Sequence, residues 1–409
     1  MKSREQASIK FSRRNFVCRS TAALSGMIVA PGIVRGAEAN SKISIGLIGC
    51  GTRGSWIANL FEKHGGFKVV ACADYFQDKV DKAGEKFGVD PSRCYTGLNG
   101  YKKLLELDLD AVVVKSPPCF HPEQIAAAVD AGKHVYTAKP LSVDVPGCRT
   151  VAASAKKATA NKQAVLVDFQ HRVDPFFQEA VKRLHDGALG KITFANAFNH
   201  CDGYGKVKAS PEMSAPEARL CDWLRYKALS GDYMVEINSH TIDMINWMFE
   251  KPPLYVVGSG GSKVKKAVGN NWDYFSVILK YPDSMHVTFS SKRYNDSVGH
   301  RKRHTIDVFG TEGNMKTEYA GRIAILGKNY YAGGKTPALY KDGAMNNIAK
   351  FHKMITTGDF TNSTVESSIQ SNMIAIMSRE ACYKGDIVTW EEINKRDRKM
   401  DLKLQGLKG

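Results

Sequence analysis

Several things are scarce in this sequence, and each scarcity removes a class of protein. No part of its 409 residues approaches eighteen uninterrupted apolar positions, so a multi-span membrane protein is excluded. Its nine cysteines include no C-x-x-C pair, which leaves zinc without support and no disulfide pairing to deduce. Hydrophobic residues make up 43% and charged residues 24%, which excludes a disordered or collagenous chain; the length suits two or three domains. Acidic residues are the main shortage: 41 Asp and Glu stand against 58 Lys and Arg, a formal net charge of +17. Where that excess sits decides whether it speaks for nucleic acid, an anionic surface or acidic substrates.

Part of it sits at the front. Residues 1–39 carry Lys2, Arg4, Lys10, Arg13, Arg14, Arg19 and Arg35 against Glu5 and Glu38, a net +5. Ser12-Arg13-Arg14-Asn15-Phe16 precedes a mildly apolar stretch at 21–30, then Pro31 and the small-residue site Ala37-Glu38-Ala39. This order describes a cleavable export signal, too short and polar to span a bilayer in the mature form. The adjacent arginines resemble a twin-arginine signal, which predicts the twin-arginine export machinery and a bacterial periplasmic destination. The remaining +12 is scattered over 263–266, 292–304 and 395–408 without a nucleic-acid motif.

From residue 42 short apolar runs alternate with helix-like stretches. A β run at 43–48 leads directly into Gly49-Cys50-Gly51-Thr52-Arg53-Gly54, a helix at 55–64, and a second β run at 67–73 ending in Asp74. This is G-x-G-x-x-G in its required setting. Glycines let the backbone turn and approach a pyrophosphate, whose charge the helix N-terminus stabilises. Asp74 is placed for the adenosine ribose hydroxyls and would repel a 2′-phosphate, favouring NAD; Arg53 keeps NADP as the alternative. Further helices are predicted at 79–87, 101–106, 122–131 and 145–160, with strands at 111–114, 134–136 and 164–167. That alternation predicts a doubly wound parallel Rossmann sheet over 40–168. The loop Lys115-Ser116-Pro117-Pro118-Cys119-Phe120-His121 leaves the carboxyl end of a strand, so Ser116, Pro117 and His121 are expected beside the cofactor.

Beyond 168, β runs at 255–258, 275–281, 285–291 and 305–309 precede helices at 346–357 and 365–383. They predict a second, α+β domain over 169–409 with a mainly antiparallel open sheet. Residues 231–249 read as one helix, with Met234, Ile237, Met244, Ile245 and Met248 as its apolar stripe. Glu236, His240, Asp243 and Trp247 share another stripe, a pattern that equally describes a solvated face. Arg172 and Arg225 are candidate clamps for substrate hydroxyls or carboxylates, or ordinary surface arginines. No third ligand accompanies the Glu236–His240 pair, so no metal is expected.

The glycine motif, the P-P-x-x-H loop and Gly132-Lys133-His134-Val135-Tyr136-Thr137-Ala138-Lys139-Pro140 together resemble the Gfo/Idh/MocA family of nicotinamide-dependent oxidoreductases. The likeness continues through Phe169-Gln170-His171-Arg172 and Gly231-Asp232-Tyr233-Met234-Val235-Glu236 to His240. Members usually carry Glu-Lys-Pro where this chain has Ala138-Lys139-Pro140. The resemblance implies that Lys139 is the catalytic lysine, with Glu236 and His240 catalytic beside it. It also implies Gln170 at the cofactor, His240 and Asp243 at the substrate, a sugar, sugar acid or polyol as substrate, and a homodimer or homotetramer. Lys139 beside a cationic nicotinamide and partly buried would have a lowered pKa, as a proton acceptor requires. Because the twin-arginine route exports folded proteins, the cofactor is expected to travel inside, tightly bound. A redox-neutral glycoside hydrolase or keto-sugar enzyme, and a catalytically silent carbohydrate-binding protein, are the alternatives.

Overall fold

Four consecutive apolar residues, Ala111–Val114, make a strand that must be buried on both faces, and that need organises the first half of the molecule. The computed structural model describes residues 42–409 apart from 204, 207, 265–267 and 295–303; the export signal expected at 1–39 lies outside them. Six parallel strands, Ile43–Ile48 (β1), Phe67–Asp74 (β2), Cys94–Thr96 (β3), Ala111–Val114 (β4), His134–Ala138 (β5) and Val165–Asp168 (β6), form a sheet of order β3-β2-β1-β4-β5-β6. Its order reverses between β1 and β4, which opens a crevice at their carboxyl ends.

Alternate residues of these strands supply two cores. Ala111 and Val113 face one side with Ile57 and Phe61, while Val112 and Val114 face the other with Ile125 and Val129. The first side is completed by Ala344, Ile348, Phe351 and Met354 of the helix Leu339–Thr357. A late helix returns to cover the first sheet, and residues 42–409 make one compact unit.

The second sheet has the order β14-β13-β12-β11-β7-β10-β9-β8-β15. Its strands are Ile192–Cys201 (β7), Tyr255–Gly261 (β8), Tyr274–Lys280 (β9), His286–Arg293 (β10), His304–Gly310 (β11), Gly313–Glu318 (β12), Arg322–Gly327 (β13), Tyr331–Lys335 (β14) and Val388–Thr389 (β15). Neighbours run antiparallel except β7 and β10, which are parallel. Period-two alternation turns Val277, Leu279, Val287, Phe289, Ile306 and Val308 inward against helices Pro175–His185, Ser239–Phe249 and Thr364–Lys384. The opposite face exposes Phe198, Ile278 and Leu326.

Residues 231–249 are not one helix. Asp232–Glu236 and Ser239–Phe249 are separate, broken at Ile237 and Asn238. Asn238 turns its amide to Ser291 Oγ at 2.8 Å, and Gly231 and Asp232 enter the segment with φ of +81° and +73°. The periodicity persists across the break, so the apolar stripe alone could not reveal it.

Candidate active site

The three motif glycines have three different reasons to lack a side chain. Gly49 has φ +96°, and a Cβ there would lie 2.5 Å from Ser116 N. A Cβ on Gly54 would collide with the Gly49 carbonyl, so close packing of the helix Thr52–His64 onto the strand demands glycine. Gly51, the residue before that helix, would meet nothing within 4 Å. Its bareness serves no contact inside the chain and leaves an open approach at a thirteen-residue helix N-terminus, where a pyrophosphate fits. Thr52 opens the helix and is exposed.

From this turn a cleft runs along the carboxyl ends of the strands in two halves. The first, of about 670 Å³, is lined by Gly49, Gly51, Asp74, Tyr75, Phe76 and Leu98 on the sheet side and by Leu220 and Trp223 opposite; Pro117 also borders it. Asp74 ends β2, where its Oδ2 accepts from Cys50 N at 2.8 Å and its Oδ1 from Phe76 N at 3.0 Å. Both bonds hold the carboxylate at the mouth of this half. The second half, about 1250 Å³ including open solvent, is lined by Arg53, Lys139, Gln170, Glu236, His240 and Tyr340 among others. Lys115, Ser116 and Trp223 border both halves, so the two are continuous.

Lys139 ends the short segment after β5, and the helix break delivers its partner. In an unbroken helix the Glu236 carbonyl would bond to the backbone four residues on. Here it accepts from Lys139 Nζ at 2.5 Å and from Ser239 Oγ at 3.1 Å. Glu236 Oε1 lies 3.4 Å from the same ammonium, while its buried Oε2 has no hydrogen-bond partner among the described residues. Burial pushes the Lys139 pKa down and the Glu236 pKa up, each opposed by the other's charge. A buried pair with both shifts toward neutrality can pass a proton at little cost.

His240 is fixed from behind. Gln170 Nε2 donates to Asp168 Oδ1 at 2.7 Å, so Gln170 Oε1 faces Tyr319 Oη at 3.1 Å and can only accept. Tyr319 spends its one proton there. Its oxygen therefore accepts from His240 Nδ1 at 3.3 Å, which places the imidazole proton on Nδ1 and leaves Nε2 as a bare acceptor. Nε2 has no hydrogen-bond partner among the described residues, and burial together with Lys139 drives the His240 pKa well below the ordinary value. The ring is neutral and lines the cleft.

A buried cation and carboxylate, neither among the sequence candidates, lie beneath. Lys115, which follows β4, is 3.0 Å from Asp168 at the end of β6, and both are almost fully buried. Burial lowers the Lys115 pKa to about 8; Asp168 stays below its ordinary value because Lys115 and Arg53 outweigh its own burial. Both residues stand at carboxyl ends of strands, a positional signal that the sequence contained. Tyr319, Tyr340 and Trp223 come from distant segments and carried none.

Other candidates are placed differently. His121 is buried and bridges Ser116 O and Pro140 O, at 2.8 Å each, coupling the loop after β4 to the Lys139 segment. Burial takes its pKa to about 4, so it is neutral and donates to one carbonyl at a time. Ser116 Oγ donates to Gln124 at 2.5 Å. Arg172 and Asp243 do not line either half of the cleft. Asp243 is fully buried and accepts from Arg172 Nε (2.7 Å) and Nη2 (2.9 Å) and from Ser371 Oγ (2.6 Å), with His171 Nε2 at 2.8 Å. Arg225 is likewise outside the lining, buried with Asp222 at 3.5 Å and the Gly205 carbonyl at 2.8 Å. These three residues hold the structure behind the site, whereas the helical stripe had suggested Asp243 beside His240. His240 and Asp243 lie on the same helix after the break, and Asp243 is held away from the cleft by its bonds to Arg172, His171 and Ser371.

Comparisons with known proteins agree with this fold. Residues 43–167 match the model for the oxidoreductase family with an NAD-binding Rossmann fold, and residues 177–316 match the model for the GFO/IDH/MocA C-terminal domain. An inositol 2-dehydrogenase of Rhizobium meliloti is 25% identical over 69% of this chain and 78% of its own length. A 2,7-anhydro-N-acetylneuraminate hydratase of Mediterraneibacter gnavus is 20% identical over 68% of this chain and 67% of its own. Among solved structures, levoglucosan dehydrogenase in complex with NADH and levoglucosan superposes with a TM-score of 0.68 at 18% identity, covering 85% of this chain and 99% of that one. Sheet order, glycine turn and the two matched domains lead to one conclusion: the chain belongs to the Gfo/Idh/MocA family of NAD-dependent oxidoreductases.

Proposed function

We propose that this protein oxidises a secondary hydroxyl of a cyclic polyol or sugar, with NAD held in the cleft and Lys139 as the proton acceptor. The observation that carries the reading is the meeting, in one continuous cleft, of the open glycine turn and the Lys139–Glu236–His240 group. The turn before Thr52, Asp74 and the 115–118 loop would hold the dinucleotide; Asp74 favours NAD over NADP by repelling a 2′-phosphate. What a bound nicotinamide supplies there is a reversible acceptor for a hydride from the substrate carbon.

Lys139 receives the hydroxyl proton in oxidation and returns it in reduction, its amine oriented by the Glu236 carbonyl and carboxylate. The bare His240 Nε2 is an acceptor suited to a neighbouring hydroxyl of the ring, and the Glu236 side chain lines the same cleft. A substrate rich in hydroxyls meets both, which is why a polyol suits this site better than a simple alcohol. The inositol and levoglucosan dehydrogenases among the similar proteins support that class. The hydratase supports a second reading, in which the substrate is transiently oxidised, changed at a neighbouring carbon and reduced again with no net electron transfer.

Export completes the proposal. Arg13-Arg14 and the following stretch would send the chain, folded with its cofactor, to the periplasm, where a resident dinucleotide makes the enzyme independent of a soluble pool. The exposed Phe198, Ile278 and Leu326 on the second sheet suit a second copy of the chain, giving a dimer or tetramer. Incubating the purified chain with NAD and inositol or levoglucosan, and following nicotinamide reduction and product, tests the reading. A reduced cofactor and a ketone or lactone product are expected; product without net reduction selects the second reading, and no turnover of any such substrate refutes both.

A further inference from the structure

After the helix Trp390–Lys395 the chain has no helix or strand, yet it is fastened every few residues. Met400, Leu402 and Leu404 are half-buried at alternate positions, while Asp401, Lys403 and Gln405 are exposed. That alternation lays the apolar side chains on the protein surface, with a left-handed turn at Lys403 (φ +49°) between them. Met400 N donates to Asp144 Oδ2 at 2.8 Å. Arg219, on the helix Ala215–Cys221, donates to the carbonyls of Leu402 and Lys403. Lys408 N donates to Tyr75 Oη at 3.2 Å, and Lys408 O accepts from Leu98 N at 3.0 Å. A side chain on Gly97 would collide with the Gly409 carbonyl, so the loop before Leu98 leaves room only for this passing backbone.

These anchors coincide with the walls of the first half of the cleft. Tyr75 and Leu98 form one wall; Leu220 and Trp223, on and just past the helix that carries Arg219, form the other. A dinucleotide seated at the glycine turn lies between them. Together with the Tyr75 Oη to Glu217 Oε1 bond at 3.1 Å, the C-terminal segment bonds to both walls.

We propose that the C-terminal segment 396–409 is a part of the dinucleotide site, a strap that sets how long the cofactor stays by holding the Ala215–Cys221 helix against the Tyr75 and Leu98 loops. This rests on the reading of the cleft as a dinucleotide site. The strap fastens the end remote from Lys139, so loosening it changes cofactor release and leaves the chemistry intact. Its main-chain bonds to Tyr75 and Leu98 must part before the walls can separate, which makes them a determinant of the release rate.

The test loads NADH onto the intact chain, a chain ended after Asp397, and Arg219→Ala, then follows release by fluorescence on dilution into excess NAD. Release is expected to be about ten-fold or more faster from the shortened chain and several-fold faster from Arg219→Ala, the scale of losing a few hydrogen bonds. Arg219→Ala decides the matter if the shortened chain fails to fold. Release within about two-fold of the intact chain, from folded variants that bind NADH, overturns the strap and leaves the cleft reading standing. An intact chain that takes up no dinucleotide overturns that reading, and the strap with it.

Discussion

Replacing Tyr319 by Phe removes one oxygen that lies behind His240 and outside the cleft lining, and should slow the chemistry nonetheless. That oxygen donates to Gln170 Oε1 at 3.1 Å and accepts from His240 Nδ1 at 3.3 Å, and the residue is almost fully buried. Phe fills the same space but leaves Gln170 Oε1 and His240 Nδ1 without their partner. Each buried group left unsatisfied costs about 1–3 kcal/mol, so with two such groups stability should fall by roughly 2–6 kcal/mol. The catalytic consequence is separate. Without the hydroxyl nothing holds the imidazole proton on Nδ1, and the tautomer presenting N–H to the cleft becomes available. A substrate hydroxyl that donated to Nε2 then loses a hydrogen bond of about 1.4–3 kcal/mol, equivalent to roughly ten- to hundred-fold in kcat/KM. Steady-state kinetics would show that loss with NAD binding unchanged, and nitrogen NMR of the imidazole would show the tautomer change. A folded Tyr319→Phe enzyme with kcat/KM within about two-fold of the parent refutes the relay.

Gly51→Ala and Gly54→Ala should separate ligand from fold. The first meets open space and should leave the melting temperature unchanged while weakening dinucleotide binding; the second collides with the Gly49 carbonyl and should destabilise the protein itself. Asp243→Asn should lower stability by about 3–5 kcal/mol in denaturant unfolding, because it strips the charge opposite buried Arg172 contacts, while turnover of the remaining folded enzyme changes little. For pH, burial lowers the Lys139 pKa, so the amine loses its proton below the ordinary lysine value of about 10.4. Oxidation rates should therefore rise with pH along a limb that lies below that value, and Lys139→Met should abolish the limb together with the activity.

The parts legible in the sequence were those set by local pattern. The strand Ile43–Ile48, the strand Ala111–Val114 and the helix Val145–Ala160 appear with the predicted bounds, because short β-branched or apolar runs and an Asp144 cap mark them. The glycine turn and Lys139 are likewise where the motif put them. What was not legible depends on distant chain. Helix Leu339–Thr357 completes a sheet whose last strand ended far earlier, at Asp168, and no local signal says which sheet an amphipathic helix covers. The break at Ile237–Asn238 is stabilised by Lys139, Ser291 and Ser239, two of them remote, and it sets how Glu236 before it and His240 after it both come to line the cleft. Tyr319 matters through partners at Gln170 and His240, a relation invisible along the sequence.

The central claim is that one cleft holds the dinucleotide and that Lys139 in it removes a substrate proton. Single-turnover reduction of NAD by a saturating cyclic polyol, in the parent protein and in Lys139→Ala, tests it most directly. The account predicts that both bind one dinucleotide per chain, that the parent reduces it on addition of polyol, and that Lys139→Ala reduces it at least about a hundred-fold more slowly. Equal rates in the two proteins, or failure of the parent to bind a dinucleotide, would contradict it.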